Sequence, residues 1–365
     1  MRRIWIVASL VSAVLLSGPR GAVAGERHAQ SAGPRRTHKR THQRRRRARH
    51  HQRVRHHKRV GHHKSVRHHK HSRPRRHRHK NPAVPAPPTA GPAPTPAPPV
   101  AIPTSYASPC PTAPPASALA LGGRTYALAG LDTFTKAAPL GSFAQSSNNQ
   151  IVYTGDHGMS WTGYGDGWSS TYSGGKEGYQ PSTVLSVHDG MLDFHLHNDT
   201  NGNPVGANPS PLPGGNHYQT YGVWSFCEKI APADSHNLDA FYQAPLLWPP
   251  TDSNSTSSES DFPEGNLAGP DLKGFSHYGG SGAQDLFSIR AVDPTFAATQ
   301  WHVYTQAWGP GFRSYYVDGQ LVGTSTQQVW SGPERWQLQV EPSGTNDGAS
   351  GDVLIGWVWI GTPTS

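Results

Sequence analysis

Three acidic side chains fall within six residues in the stretch SSESDFPEGN: Glu259, Asp261 and Glu264. Carboxyls this close cannot all ionise easily, so at least one pKa should rise. One ionised and one protonated carboxyl form the pair that retaining glycoside hydrolysis requires. The ionised group attacks the anomeric carbon. The protonated group gives its proton to the leaving oxygen and then activates water. A solvated acidic loop or a calcium site also uses such residues, so placement decides among the three.

In an extended strand Glu259 and Asp261, two apart, point to one side. Glu264 is five from Glu259, an odd offset, and in a regular strand it faces the other way. A β-bulge adds one unpaired residue and returns Glu264 to the side of the other two. Pro263 cannot donate to a ladder and suits such a break. Catalysis by this cluster therefore requires a bulged strand.

The rest of the body supplies strands to hold it. From about residue 119 helix signals are scarce and alternating runs recur between turn residues. In STVLSVHDGMLDFHLHN the alternation is broken by Asp189-Gly190, a two-residue hairpin signal. RSYYVDGQLVGTS repeats the device at Asp318-Gly319. WHVYTQAW, RWQLQVE and DVLIGWVWIG alternate likewise. No βαβ pattern occurs, so the expected fold is all-β, one sandwich of two packed sheets. In RWQLQVE, Trp336, Leu338 and Val340 share one face, and Gln337, Gln339 and Glu341 share the other. Such a polar row can present amides such as Gln339 to a sugar chain.

ESDFPE resembles the E-x-D-x-x-E signature of family 16 glycoside hydrolases, the laminarinase and lichenase group built on a concanavalin-like jelly roll. YGVWSFCEKI (221–230) is similar to that family's Y-G-x-x-E-x-R-x-K strand, with Lys229 where Arg is expected. WHVYTQAWGPGFRSYYVDGQLV (301–322) resembles its F-H-x-Y-x-x-x-W-x-P…W-Y-V-D-G-x-x-V stretch, the more specific match. The likeness covers about residues 170–361. It implies a two-sheet jelly roll with Glu259 as nucleophile and Glu264 as acid/base. Asp261 between them would hold the nucleophile and tune its charge. His277 falls where the family often has a groove histidine. Trp308 matches a sugar-stacking residue, and Trp224 and Trp248 are expected as further platforms. The resemblance implies no cofactor and no catalytic metal; a structural calcium is the one metal that some members bind. Ser258 and Ser260 depart from the family's Gly and aliphatic residue. Ser260 should point away from the groove, into what is normally a packed layer.

The 365-residue chain is divided by composition. Residues 1–80 hold 25 Lys and Arg against one acid, Glu26; residues 81–365 hold 8 bases and 22 acids. The net charge of +10 therefore describes neither part. Residues 1–24 read as a secretory signal: Arg2 and Arg3, an apolar run from Ile4 to Leu16, and Ala22-Val23-Ala24 as the cleavage signal. Residues 25–80 form an arm rich in Arg, His and Lys, with the repeat RVRHHK, RVGHHK, SVRHHK. Residues 35–80 carry no acid, and such a segment repels itself and is expected to be disordered. It suits a tether to an anionic cell-wall or surface polymer by counterion release, not to a specific nucleic acid. Residues 81–118 form a Pro/Ala-rich spacer, extended at about 3.1 Å per residue. Cys110 ends the spacer and Cys227 lies in the body; two cysteines in an exported chain can pair, and the sequence leaves that open.

The expectation is a secreted, wall-associated monomer acting on a polysaccharide. Its body, residues 119–365, would be a retaining endo-glycosidase for β-1,3 or mixed-linkage β-1,3-1,4-glucan. The alternative is a non-catalytic sugar-binding sandwich tethered by the basic arm. It would keep the Trp platforms without needing three crowded acids.

Overall fold

A computed structural model describes residues 109–364 apart from 146, 148, 171–176, 234–237, 281 and 344–347. The signal segment (1–24), the arm (25–80) and residues 81–108 of the spacer lie outside the described residues. β1 (Ala118–Leu121) opens one residue before the expected domain start, and β2 (Arg124–Asp132) follows. β3 (Tyr153–Thr154), β4 (Ser160–Gly163), β5 (Trp168–Ser169) and β6 (Glu177–Tyr179) are short; one helical turn, α1 (Pro181–Val184), comes next. β7 (Leu185–His188), β8 (Met191–Asn198), β9 (Pro204–Val205), β10 (Pro209–Leu212) and β11 (Gly222–Pro232) lead to β12 (Phe241–Trp248). A second turn of helix, α2 (Ser255–Ser258), precedes β13 (Ser260–Asn266), β14 (Lys273–Tyr278) and β15 (Ala283–Ser288). The last strands are β16 (His302–Gly309), β17 (Phe312–Val317), β18 (Gln320–Ser325), β19 (Arg335–Pro342) and β20 (Gly351–Pro363).

The fold is an all-β, jelly-roll-like sandwich. Its larger sheet runs β1-β2-β20-β11-β16-β17-β18, with β8 also pairing β20. The smaller runs β15-β14-β13-β12-β19. A three-stranded piece, β10-β4-β3, lies beside β19, where Ala207 bridges Val340 and the Ser210 hydroxyl donates to Trp336 O at 2.6 Å. Both hairpin signals hold. Asp189-Gly190 and Asp318-Gly319 have positive φ at both positions (49° and 72°, 49° and 79°), as a type I′ turn needs.

The core lies between the sheets and is rich in aromatic rings. Phe226 of the larger sheet meets Trp336 of the smaller at 5.3 Å between ring centroids, and Phe262 meets Tyr315 at 5.2 Å. Alternation on β19 is as the sequence predicts: Trp336, Leu338 and Val340 enter this core. Gln337, Gln339 and Glu341 occupy the other, open face of the smaller sheet, where Gln339 is partly exposed and Gln337 and Glu341 are buried by their neighbours.

A second, smaller core covers the back of the larger sheet. Tyr126, Val223, Ala307, Tyr316, Trp357 and Trp359 pack there with Cys110 and Cys227. The two cysteines form a disulfide, and Trp357 Nε1 donates to Thr112 O at 2.6 Å beside it. The spacer end is thus stapled to β11 across 117 residues of chain. Closing so long a loop restricts the unfolded chain strongly. Cys110→Ser should therefore lower stability by about 2–5 kcal/mol. A thermal melt checks this: the variant and the reduced wild type should melt together, below the oxidised protein.

Candidate active site

Local structure presents the three acids in turn. The α2 turn ends where Glu259 N donates to Ser255 O (2.9 Å), and Glu259 itself turns extended (φ −54°, ψ 139°). Its carbonyl accepts from His277 N at 2.9 Å, so β14 already runs alongside. On β14, Asp261 faces Phe275 and Glu264 faces Lys273, so three steps along β13 match two on its neighbour. On β12, Leu246 faces Asp261 and Gly265 faces Gln243, again one residue in excess on β13. The extra residue is a β-bulge at Phe262-Pro263, whose peptide is cis. Ser260 and Phe262 point into the core; Asp261 and Glu264 share the open face with Glu259. The bulge required by the sequence is present.

Ser260 points away from the open face, as expected, but the layer it enters is polar. It is fully buried and hydrogen-bonds the Tyr315 hydroxyl at 2.7 Å, while Gln306 Nε2 donates to its hydroxyl as well. Tyr315 in turn donates to Phe275 O at 2.6 Å. Hydrogen bonds replace the apolar contacts an aliphatic residue would make, and they tie β13 and β14 to the opposite sheet. Arg313 extends this layer. Its guanidinium donates to Ser258 O, one residue before Glu259, and pairs with Glu334 at 2.7 Å.

Burial and mutual repulsion drive the electrostatics. Asp261 is 2% exposed. Burial raises its pKa well above the carboxylate range, opposed first by the charge of Arg313. Glu259 is also pushed well above that range, by burial and then by Asp261; His277 opposes this. Glu264 is raised to about 8, again by burial and then by Asp261, while a hydrogen bond from Tyr242 (2.7 Å to Oε1) holds it down. At neutral pH Glu264 therefore keeps its proton. The cluster cannot carry three charges.

The other expected residues divide. His277 Nε2 lies 3.4 Å from Asp261 Oδ2, within the cluster. Gln339 is on the same open face, accepting from Asn208 Nδ2 at 3.1 Å and donating to Glu341 at 3.3 Å. Trp248, half-buried, follows Tyr242, Ala244 and Leu246 on that side of β12 and donates to Asp252 at 3.2 Å. Trp224 and Trp308 require correction. They are 2% and 0% exposed and stack on each other at 6.2 Å inside the core. They lie on the inner face of the larger sheet, so they fill the sandwich and offer no surface to a sugar. Two further groups were not anticipated: Tyr242 and Arg313. Tyr242 faces Glu341, already placed on the polar row of β19, across β12 and β19, and the two-residue period on β12 was the available signal. Nothing local marks Arg313, which reaches the acids from the opposite sheet.

The chain is thus an all-β sandwich with a crowded, buried carboxylate cluster on one sheet face. No protein-family model matches its sequence, and no curated protein does. Among solved structures it is similar to the catalytic domain of an endo-1,3-β-glucanase (laminarinase) from Thermotoga petrophila RKU-1, with 14% identity and a TM-score of 0.49 over 66% of this chain and 100% of that one. It is also similar to an endo-β-1,3-glucanase from Pyrococcus furiosus (14% identity, TM-score 0.47, 68% and 99% covered). A third is a β-glucanase from Bacillus licheniformis (13% identity, TM-score 0.45, 64% and 97% covered). The likeness is one of fold.

Proposed function

We propose that this chain is a retaining, endo-acting hydrolase of β-1,3 or mixed-linkage β-glucan. The observation that carries the reading is the bulge at Phe262-Pro263, which turns Glu264 to the face that already bears Glu259 and Asp261. The substrate class rests on the likeness of the sequence motifs. In the first step the Glu259 carboxylate attacks the anomeric carbon as the bond to the leaving sugar oxygen breaks, and Glu264 gives that oxygen its proton. In the second, Glu264, now ionised, takes a proton from the water that displaces Glu259. Asp261 and His277 set the charge beside the nucleophile. Trp248 and Gln339 receive the sugar, an aromatic face and an amide suiting pyranose C–H patches and hydroxyls. Two carboxyls suffice for this chemistry without a cofactor.

Release of reducing ends from laminarin and lichenan, with the first anomer read by proton NMR, tests this. The β-anomer should appear first; the α-anomer first, or no release from either glucan, overturns it. The burial of Trp224 and Trp308 removes two expected platforms from the hydrolase and from the sugar-binding alternative alike; the three crowded acids, which a sugar-binding sandwich does not need, favour the hydrolase. We further propose that the chain is secreted as a monomer and held at an anionic wall polymer by residues 35–80. Salt-dependent retention on isolated wall material should vanish when residues 25–80 are deleted.

The proton on Glu264 sets the alkaline limit. Activity should fall as pH rises through about 8, where the acid is lost. Tyr242 stabilises the ionised form, so Tyr242→Phe raises the pKa further and moves that limb to higher pH. A pH profile of kcat/KM for the two proteins checks the direction; a limb that stays put or moves down refutes it.

A further inference from the structure

An aromatic belt leaves the acids on the side of the open face toward β19. Leu247 faces Ser260, which brings Trp248 next to Glu259, and Trp248 in turn faces Arg335 across β12 and β19. Arg335 Nη2 donates to the Tyr164 hydroxyl at 2.6 Å, and its Nε donates to Gln337 at 2.7 Å. Tyr164 stacks on Trp168 of β5, with ring centroids 5.4 Å apart and planes 19° from parallel. Tyr179, the partner of Trp168 between β5 and β6, lies 5.8 Å from the same tyrosine and donates to Glu341 at 3.2 Å. Two tyrosines are thus hydrogen-bonded to the polar row of β19, and they fix the ring of Trp168. That ring is 46% exposed, the most exposed tryptophan among the described residues. One of its faces rests on Tyr164. Because the stack orders it before any ligand arrives, little side-chain freedom is lost on binding.

From this arrangement we infer a remote sugar subsite: the outer face of Trp168 binds a pyranose of the glucan several units from the bond that is cleaved, and so sets a preference for long chains. The belt from Trp248 through Arg335 and Tyr164 to Trp168 follows a path of about 15 Å, one strand spacing plus the 5.6 Å from the guanidinium to the Tyr164 ring and the 5.4 Å stack. That path is longer than one pyranose ring, so a short oligosaccharide seated at Trp248 and the acids does not reach Trp168. An indole face suits the apolar C–H patch of the sugar. Arg335 spends Nε and Nη2 on Gln337 and Tyr164, and its Nη1 keeps donors for ring hydroxyls. The occupant is a neutral sugar chain because residues 81–365 hold 22 acids against 8 bases, which disfavours a polyanion on this face. The subsite rests on the reading of the open face as a glucan groove; it does not need the bond to be hydrolysed.

Calorimetric titration of laminaritriose and laminarihexaose into the full chain tests the subsite, in a Glu259→Gln background that prevents turnover. Adding Trp168→Ala should weaken binding of the hexaose about tenfold and so narrow the gap in Kd between the two lengths. Trp168→Phe should recover most of that loss, since a phenyl face also stacks, and it keeps the test sound should the alanine variant fold poorly by circular dichroism. In the active protein the ratio of kcat/KM on hexaose to that on triose should fall by the same factor with Trp168→Ala. A purely structural role for the ring would weaken both lengths alike. Equal loss at both lengths, unchanged hexaose binding, or no hexaose binding before Trp168 is replaced overturns the subsite. If the wild type hydrolyses no glucan while hexaose binding still depends on Trp168, the hydrolase reading fails and the subsite stands.

Discussion

Glu259→Gln should leave a folded protein whose turnover of β-glucan falls by roughly 10⁴–10⁶-fold. Gln keeps the shape of Glu but cannot attack an anomeric carbon, so no covalent intermediate forms. Stability should hold or rise, because the substitution removes a buried carboxyl crowded by Asp261 and Glu264. Glu264→Gln removes a proton donor and not the nucleophile, and its loss on natural glucan should be about 10²–10⁴-fold. The two variants separate on an aryl β-glucoside with an acidic phenol. Such a leaving group departs without a proton, so Glu264→Gln recovers much of the first step while Glu259→Gln recovers none. Near-normal turnover in either variant on laminarin, or equal recovery on the aryl substrate, would show the roles to be wrongly assigned.

Arg313→Met should produce the largest loss of stability among single substitutions near the site, about 3–5 kcal/mol. Arg313 and Glu334 are both fully buried and paired at 2.7 Å, and the guanidinium also lies 5.1 Å from the Trp308 ring centroid. Removing the cation strands Glu334, whose pKa burial already raises to about 7 against the pull of Arg313. It also leaves Ser258 O without its donor. The double variant Arg313→Met/Glu334→Leu should recover much of the loss, since the penalty arises from an unpaired buried acid. Urea unfolding of the three proteins measures both effects. A loss below about 1 kcal/mol would contradict a buried, uncompensated charge.

Most of the fold was legible because the determinants are local. A two-residue turn with Asp-Gly needs no distant partner to be recognised, and alternation at a period of two follows from strand geometry alone. The same logic reached the site. An odd spacing between Glu259 and Glu264, with Pro263 between them, required a bulge before any coordinates showed one. Ser260 was correctly directed away from the open face, but its surroundings were not foreseen. A serine reads as a poor core residue until Tyr315 and Gln306, more than forty positions downstream, supply its hydrogen bonds.

The tryptophans show where local reasoning ends. Trp224, Trp248 and Trp308 are alike as sequence, each in a run of strand-forming residues. Which sheet a strand joins, and which face meets the other sheet, depends on pairings between segments far apart in the chain. Trp224 and Trp308 face inward from the larger sheet and became core; Trp248 lies on the open face of the smaller. Arg313 is the converse case, a residue with no local signature that reaches the acids because β17 crosses beneath β13. Sequence alone determined the strand periods, the hairpins and the need for a kink, since each depends on neighbours a few residues away. Tertiary structure decided burial and partnership, since these depend on which distant surfaces meet.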